Sequence, residues 1–272
     1  MVFKLLQRHS IATRKTRIAT LTPRDTGYHL LVLSHNVGQD LPDYDSLDDL
    51  LCKVDADIVL LQEITCDYVD RHWDKLSHTY QYLSYGPFLE KKHVASGILS
   101  KHPIIKVDNF KLADIGIVLQ QRALISIEDN VVSVYNIHLT FPWIDIGRDP
   151  FFSCVPWPKY DYRARSEEVN NLTKMLLEEN NPIIAAGDFN LTFWSDDYKK
   201  LTKIVTDAYR STGKRSGFSW PANRTPSLYI PLATPFVRID YLFHSSSFQT
   251  NDAEFLAKTG SDHLPLLVEV VL

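Results

Sequence analysis

Eight residues whose side chains suit metal-assisted hydrolysis fall at or near the ends of strand-like runs. Asn36 lies at the end of HLLVLSHNV, Glu63 closes DIVLLQE, and His138 lies near the end of VVSVYNIHL. Asp188 and Asn190 close PIIAAGDFN, Asp240 falls within RIDYLF, and Asp262 and His263 open the run that ends the chain. One acid at a strand end is commonly a structural cap or half of a surface ion pair. A series of them on successive strands is harder to account for one by one, because burying several carboxylates without a cation is costly. Hard divalent cations take oxygen ligands, and Mg²⁺ combines one or two carboxylates with waters and substrate oxygens. Glu63 and Asp262 suit that task for Mg²⁺ or Mn²⁺. Phosphoryl chemistry also needs a positioned water and donors for developing charge. Asp188 can orient or deprotonate the water, and the Asn190 amide can donate to a phosphate oxygen. His263 can hydrogen-bond the phosphate while Asp240 fixes its tautomer. The chemistry indicated is hydrolysis of a phosphate ester.

The elements that must carry these groups alternate along the chain. Apolar runs predict strands over His29–Val37, Asp57–Glu63, Tyr80–Tyr85, Ser96–Ser100, Gln121–Ile127, Val131–Leu139, Pro182–Phe189, Arg238–Phe243 and Leu264–Val271. Helices are expected over Ser46–Ala56 with Ser46 as N-cap, Cys66–Leu76, Tyr162–Glu179, and Ser195–Lys203 with Ser195 as N-cap. Phe141–Tyr162 and Gly213–Phe236, rich in aromatics and prolines, read as long structured loops of the kind that serve function.

In this order, HNV, LQE, SGILSKHPI, NIHL, GDFN, RIDY and SDH resemble the endonuclease/exonuclease/phosphatase superfamily, which includes pancreatic-type DNases, abasic-site endonucleases, neutral sphingomyelinases and inositol-polyphosphate phosphatases. The resemblance covers residues 29–272. It implies an α+β, DNase-I-like fold: a four-layer α/β-β/α sandwich of two mainly antiparallel sheets packed face to face and flanked by helices, with the site at one edge. It also implies roles. Glu63 binds metal with support from Asn36, and Asp262 helps coordinate it. Asp188 handles the attacking water, Asn190 and His138 contact phosphate, and Asp240 and His263 form a dyad. One position departs from the pattern: Gly38 stands where some members carry an acid or amide.

The chain of 272 residues carries 29 basic and 33 acidic residues, a net charge of −4. A non-specific nucleic-acid binder usually has a basic surplus, and that surplus is missing here. Cys52, Cys66 and Cys154 form no C-x-x-C pair, which excludes a disulfide framework or structural zinc site and suits reduced thiols in the cytoplasm. Residues 1–28 read as a basic N-terminal extension, since the first acid is Asp25, and 29–272 as a single catalytic domain. No run is long enough to span a membrane, so any membrane contact is expected to be peripheral. The aromatic segment after His138 either packs its loop onto the body or acts as a hydrophobic lip, with Trp143 and Trp157 touching substrate, and Arg238 is placed to meet a phosphate oxygen. The late GDFN, RIDY and TGSDH spacing resembles a bacterial branch related to glycopeptide-resistance phosphatases. The expected substrate is therefore a lipid-linked or small phosphoester. DNA or RNA is the alternative, with the same rings as stacking platforms, and a catalytically silent binding module is the third reading.

Overall fold

Successive side chains of a strand face opposite sides of its sheet, so a strand apolar on both sides must be covered on both. That condition recurs through this chain and dictates its layers. A computed structural model describes residues 27–38, 44–87, 94–114, 119–148, 156–214, 216–222 and 234–272, with backbone only for 143–148 and 156–159. The basic N-terminal segment before residue 27 and Cys154 lie outside the described residues. In chain order the elements are β1 (His29–Asn36), α1 (Tyr44–Val54), β2 (Ile58–Thr65), α2 (Cys66–Leu76), β3 (Tyr82–Tyr85), β4 (Val94–Ser100), β5 (Ile104–Phe110), β6 (Gln120–Ile127), β7 (Asn130–His138), β8 (Trp143–Arg148) and β9 (Pro156–Asp161). They continue with α3 (Arg163–Glu178), β10 (Ile183–Asp188), α4 (Asp196–Leu201), β11 (Thr206–Asp207), α5 (Ala208–Ser211), β12 (Asp240–His244), β13 (Gln249–Phe255) and β14 (Leu266–Val271).

Two six-stranded sheets result, ordered β13-β14-β1-β2-β4-β3 and β11-β12-β10-β7-β6-β5. Each holds one parallel pair, β1 with β2 and β7 with β10, and is otherwise antiparallel. Three apolar clusters separate four layers. Between the sheets lie Leu30, Val32, Ile58, Leu60, Val132, Val134, Ile184, Ala186 and Leu242. The alternate residues Leu33, Val59 and Leu61 face α1 and α2, meeting Leu47, Leu51, Tyr68 and Trp73. On the other outer face Tyr135, Ile137, Ala185, Tyr241 and Phe243 meet Val169, Leu172 and Leu176 of α3 and Tyr198 and Leu201 of α4.

Where the elements differ from expectation the cause is local. Ser46 lies inside α1 and does not cap it; Tyr44 packs on the outer cluster and against Tyr68, ring centroids 5.1 Å apart, which draws the helix start back to that residue. Ser195 does cap α4, accepting from Tyr198 N. The expected loop after His138 contains a hairpin, β8 paired with β9. Strands β5 (IIKVDNF) and β13 (QTNDAEF) escape an apolar-run criterion because both are edge strands, and charged residues on an edge discourage pairing with another chain.

Candidate active site

Along five strands the side chains facing the opposite sheet change from apolar to polar toward one end of the sandwich. Val32 gives way to Ser34 and Asn36, Leu60 to Gln62, Val134 to Asn136 and His138, Ala186 to Asp188, and, running the other way, Leu242 to Asp240. Register completes the assembly, for Asp188 lies opposite His138 on one side and Asp240 on the other. Gly187 allows this approach. Its φ is +145°, and a Cβ there would stand 1.8 Å from the Ile137 carbonyl oxygen, so only glycine fits.

Asp188 is the hub. It is buried, and its Oδ2 lies 3.1 Å from Asn36 Nδ2, 3.3 Å from Asn190 Nδ2, 3.7 Å from His263 Nε2 and 3.8 Å from His138 Nε2. Its Oδ1 accepts from the Asn190 backbone at 2.9 Å. Burial pushes the Asp188 carboxyl above the usual carboxylate range; Asp240 adds to the shift, while His263, His138 and the bond from Asn190 oppose it without cancelling it. His263 directs Nδ1 at both Asp240 oxygens, 3.0 and 3.1 Å away. Burial alone would lower the His263 pKa, but the charges of Asp240 and Asp188 outweigh it and raise it, favouring the imidazolium. The expected dyad is thus assembled, with Nε2 turned toward Asp188.

Glu63 faces the same space. Its Oε1 accepts from Asn36 Nδ2 at 3.3 Å and lies 3.6 Å from His138 Nε2, and its side chain is a quarter exposed. Asn36 sits between the two carboxylates. Its Oδ1 accepts from Gly38 N at 3.0 Å, so its Nδ2 is what meets the carboxylates, and it orients them. Gly38 has φ +71°, a left-handed conformation that glycine adopts without strain. Asn190, at φ +49°, donates its amide hydrogens to the Leu139 carbonyl and to Asp188, and in this state it holds the acid rather than offering a free donor. Asp262 accepts from Trp220 Nε1 at 2.9 Å and stands 4.0 Å from His263 Nε2.

Arg238 does not serve as a phosphate contact. It is 1% exposed, and both terminal nitrogens bind Asp207, at 2.6 and 3.2 Å, a pairing that satisfies a charge otherwise too costly to bury. The side chains of Trp143 and Trp157 lie outside the described residues. Several supports were not anticipated. Gln120 brackets the His138 backbone at N and O, Ser219 bonds Asp240 N, and Ser261 links the Asn36 carbonyl to His263 N. Arg165, buried on α3, donates to the Asn190 carbonyl at 2.6 Å, and Glu168 takes both polar hydrogens of Thr140. Gln120 and Ser219 carry one hint in sequence, polar residues amid apolar runs.

Among the described residues, two groups of acids and histidines stand close enough to share an ion: Asp188, Asp240 and His263, and, on α1 and α2, Asp45, Asp48 and His72. The second is accounted for as a tie between helices, since Asp48 accepts from Tyr68 Oη at 3.1 Å and pairs with His72 Nδ1 at 2.6 Å. In the first, His263 Nδ1 is occupied by Asp240. The hard donors that remain are the carboxylate oxygens of Glu63, Asp188 and Asp262, a chemistry that suits Mg²⁺ or Mn²⁺.

The endonuclease/exonuclease/phosphatase family model matches residues 33–263. No curated protein sequence matches significantly. Among solved structures, a family protein from Bacteroides thetaiotaomicron is 19% identical with a TM-score of 0.66, covering 91% of this chain and 96% of that one. TDP2 from D. rerio, complexed with a single-strand DNA product, is 16% identical with a TM-score of 0.66, covering 89% and 98%. ANGEL2, a 2′,3′-cyclic phosphatase, is 17% identical with a TM-score of 0.62, covering 90% and 96%. At these identities the likeness is one of fold.

Proposed function

The chain belongs to the endonuclease/exonuclease/phosphatase family, whose members hydrolyse phosphoester bonds, and from that premise we propose a metal-dependent phosphoesterase centred on Asp188. One observation carries the reading: a buried carboxylate with a raised pKa, met within 4 Å by side-chain nitrogens from four separate segments. A structural carboxylate needs a partner or two; this one is held and made more basic. In this reading Asp188 accepts the proton of the attacking water. His263, held cationic by Asp240, donates from Nε2 to a phosphoryl oxygen as negative charge develops. His138, with Nε2 3.8 Å from Asp188 Oδ2, is a second donor. Glu63, oriented by Asn36, holds the cation with help from Asp262. When bound, Mg²⁺ or Mn²⁺ supplies neutralisation of phosphate charge.

For the substrate, the support is the surface near the site. Phe141 follows His138 by three residues and Trp194 follows Asn190 by four, and they are 45% and 57% exposed. With a net charge of −4, these rings favour a phosphoester bearing an apolar group, lipid-linked or small, over a long polyanion. Nucleic acid is the second reading, because exposed rings also stack on bases. Competition decides: Mg²⁺-dependent turnover is measured on a polyprenyl diphosphate, sphingomyelin, a chromogenic phosphodiester, single-stranded DNA and RNA. Cleavage of a lipid or small ester with nucleic acids untouched supports the first reading. Nicking of DNA or RNA with the others untouched replaces it by the second.

A further inference from the structure

The orientation of Glu63 is anomalous for its place in the sequence. Along β2 the residues facing the opposite sheet are Ile58, Leu60 and then Gln62, while Val59 and Leu61 face the helices. By alternation Glu63 should face the helices too, yet it meets Asn36 and His138. The cause is a bulge. Strands β2 and β4 pair as far as Leu61↔Gly97 and resume at Ile64↔Ala95, so Gln62 and Glu63 stand against Ser96 alone. At the bulge Glu63 has φ +60°. Bulges re-aim side chains, but a non-glycine residue at positive φ persists only when its surroundings hold it there.

What holds it comes from the other sheet. Asn136 on β7, fully buried, donates Nδ2 to the carbonyls of Leu61 and Gly97, both at 3.0 Å. These are the last residues paired before the ladder breaks. Asn136 Oδ1 accepts from Gln62 Nε2 at 2.7 Å, and Val37 N bonds the Gln62 carbonyl at 3.0 Å. The Asn136 amide therefore spans the sandwich, supplying the bulge with donors the ladder no longer gives, and grips the residue that precedes Glu63. Asn136 also lies two residues before His138 on the same face of β7, so one strand locates both the imidazole and the carboxylate.

We propose that Asn136, acting through Gln62, is the positioning residue of Glu63: an amide clasp between the sheets that sets where the metal-binding carboxylate stands. This rests on the reading of Glu63 as a metal ligand. The test is Mn²⁺ binding to the full chain, followed by electron paramagnetic resonance, with thermal melting of the metal-free protein alongside. Asn136→Leu and Gln62→Met should each weaken Mn²⁺ binding roughly 10- to 100-fold, the range for residues supporting a metal ligand, and Glu63→Gln at least as much. The Asn136→Leu/Glu63→Gln double variant should bind no more weakly than Glu63→Gln, because the two act through one group. Ser34→Ala, in the same polar layer, should bind Mn²⁺ like wild type. Wild-type affinity in both clasp variants, or additive losses in the double variant, would overturn the clasp. Should Asn136→Leu fail to fold, Gln62→Met decides alone, since it leaves the bonds from Asn136 to Leu61 and Gly97 intact. Wild-type binding by Glu63→Gln would remove the metal reading and the clasp with it, a result distinguishable from failure of the clasp alone.

Discussion

Asp188 cannot be replaced by its own amide without losing the reaction, if it takes a proton from water. Asp188→Asn keeps the shape but not the basicity, and His263→Ala removes a donor whose charge Asp240 maintains. Each should lower turnover at saturating Mg²⁺ by at least ~10²-fold, the scale for losing an acid–base or charge-stabilising group; steady-state kinetics of the purified variants check this. A different histidine contributes to the pH dependence of stability. His35 is buried, with Nε2 bonded to Thr259 Oγ1 at 2.9 Å, and burial lowers its pKa from 6.5 to about 3, helped by the nearby His263. Between those values the unfolded chain binds a proton that the folded chain does not. The stability attached to neutral His35 is therefore present above pH 6.5 and lost as pH falls toward 3. From pH 7 to 5 this one group should cost about 2 kcal/mol. Urea midpoints for wild type and His35→Gln at the two pH values test it: the variant should lose less on acidification, and equal losses would contradict the assignment.

Elements translate these residues into geometry, and the β7–β10 pair matters most because Asp188 and His138 face each other across it. Gly187→Ala would drive a Cβ into the Ile137 carbonyl at 1.8 Å and force the strands apart at the site. The expectation is a loss of at least ~2 kcal/mol in urea unfolding, the scale for strain at a special backbone conformation, with activity falling further than stability alone explains. On the outer face, Leu172 of α3 is fully buried, and Leu172→Ala should cost ~2–5 kcal/mol while leaving the Mg²⁺ dependence of residual activity unchanged. This is also the scale at which legibility in sequence varies. Apolar runs buried on both faces, such as Ile183–Asp188, announce themselves, and so do the acids that terminate them. The two polar edge strands do not, because their side chains need only tolerate water. Nor does the inward turn of Arg238, since its partner Asp207 is 31 residues away in sequence. Glu63 was legible as chemistry but not as geometry: alternation points it the wrong way, and only the bulge and the crossing amide from Asn136 correct it. The direction of the Asn36 amide was not legible, because it is decided by its neighbours.

At the scale of the molecule, the sandwich gathers four carboxylates at one edge, where Glu63, Asp188, Asp240 and Asp262 converge around two imidazoles. A cation that binds only the folded state there stabilises it by mass action. Saturating Mg²⁺ or Mn²⁺ should therefore raise the melting temperature of the wild type, and Glu63→Gln should lose most of that rise. The measurement that bears most directly on the whole account is hydrolysis across the phosphoester panel by wild type and Asp188→Asn, each with Mg²⁺ or Mn²⁺ and with EDTA. A metal-dependent phosphoesterase centred on Asp188 should turn over at least one substrate in a reaction that EDTA abolishes and that Asp188→Asn lowers by at least ~10²-fold. Turnover that survives EDTA or the substitution, or none on any substrate with either ion, would contradict it.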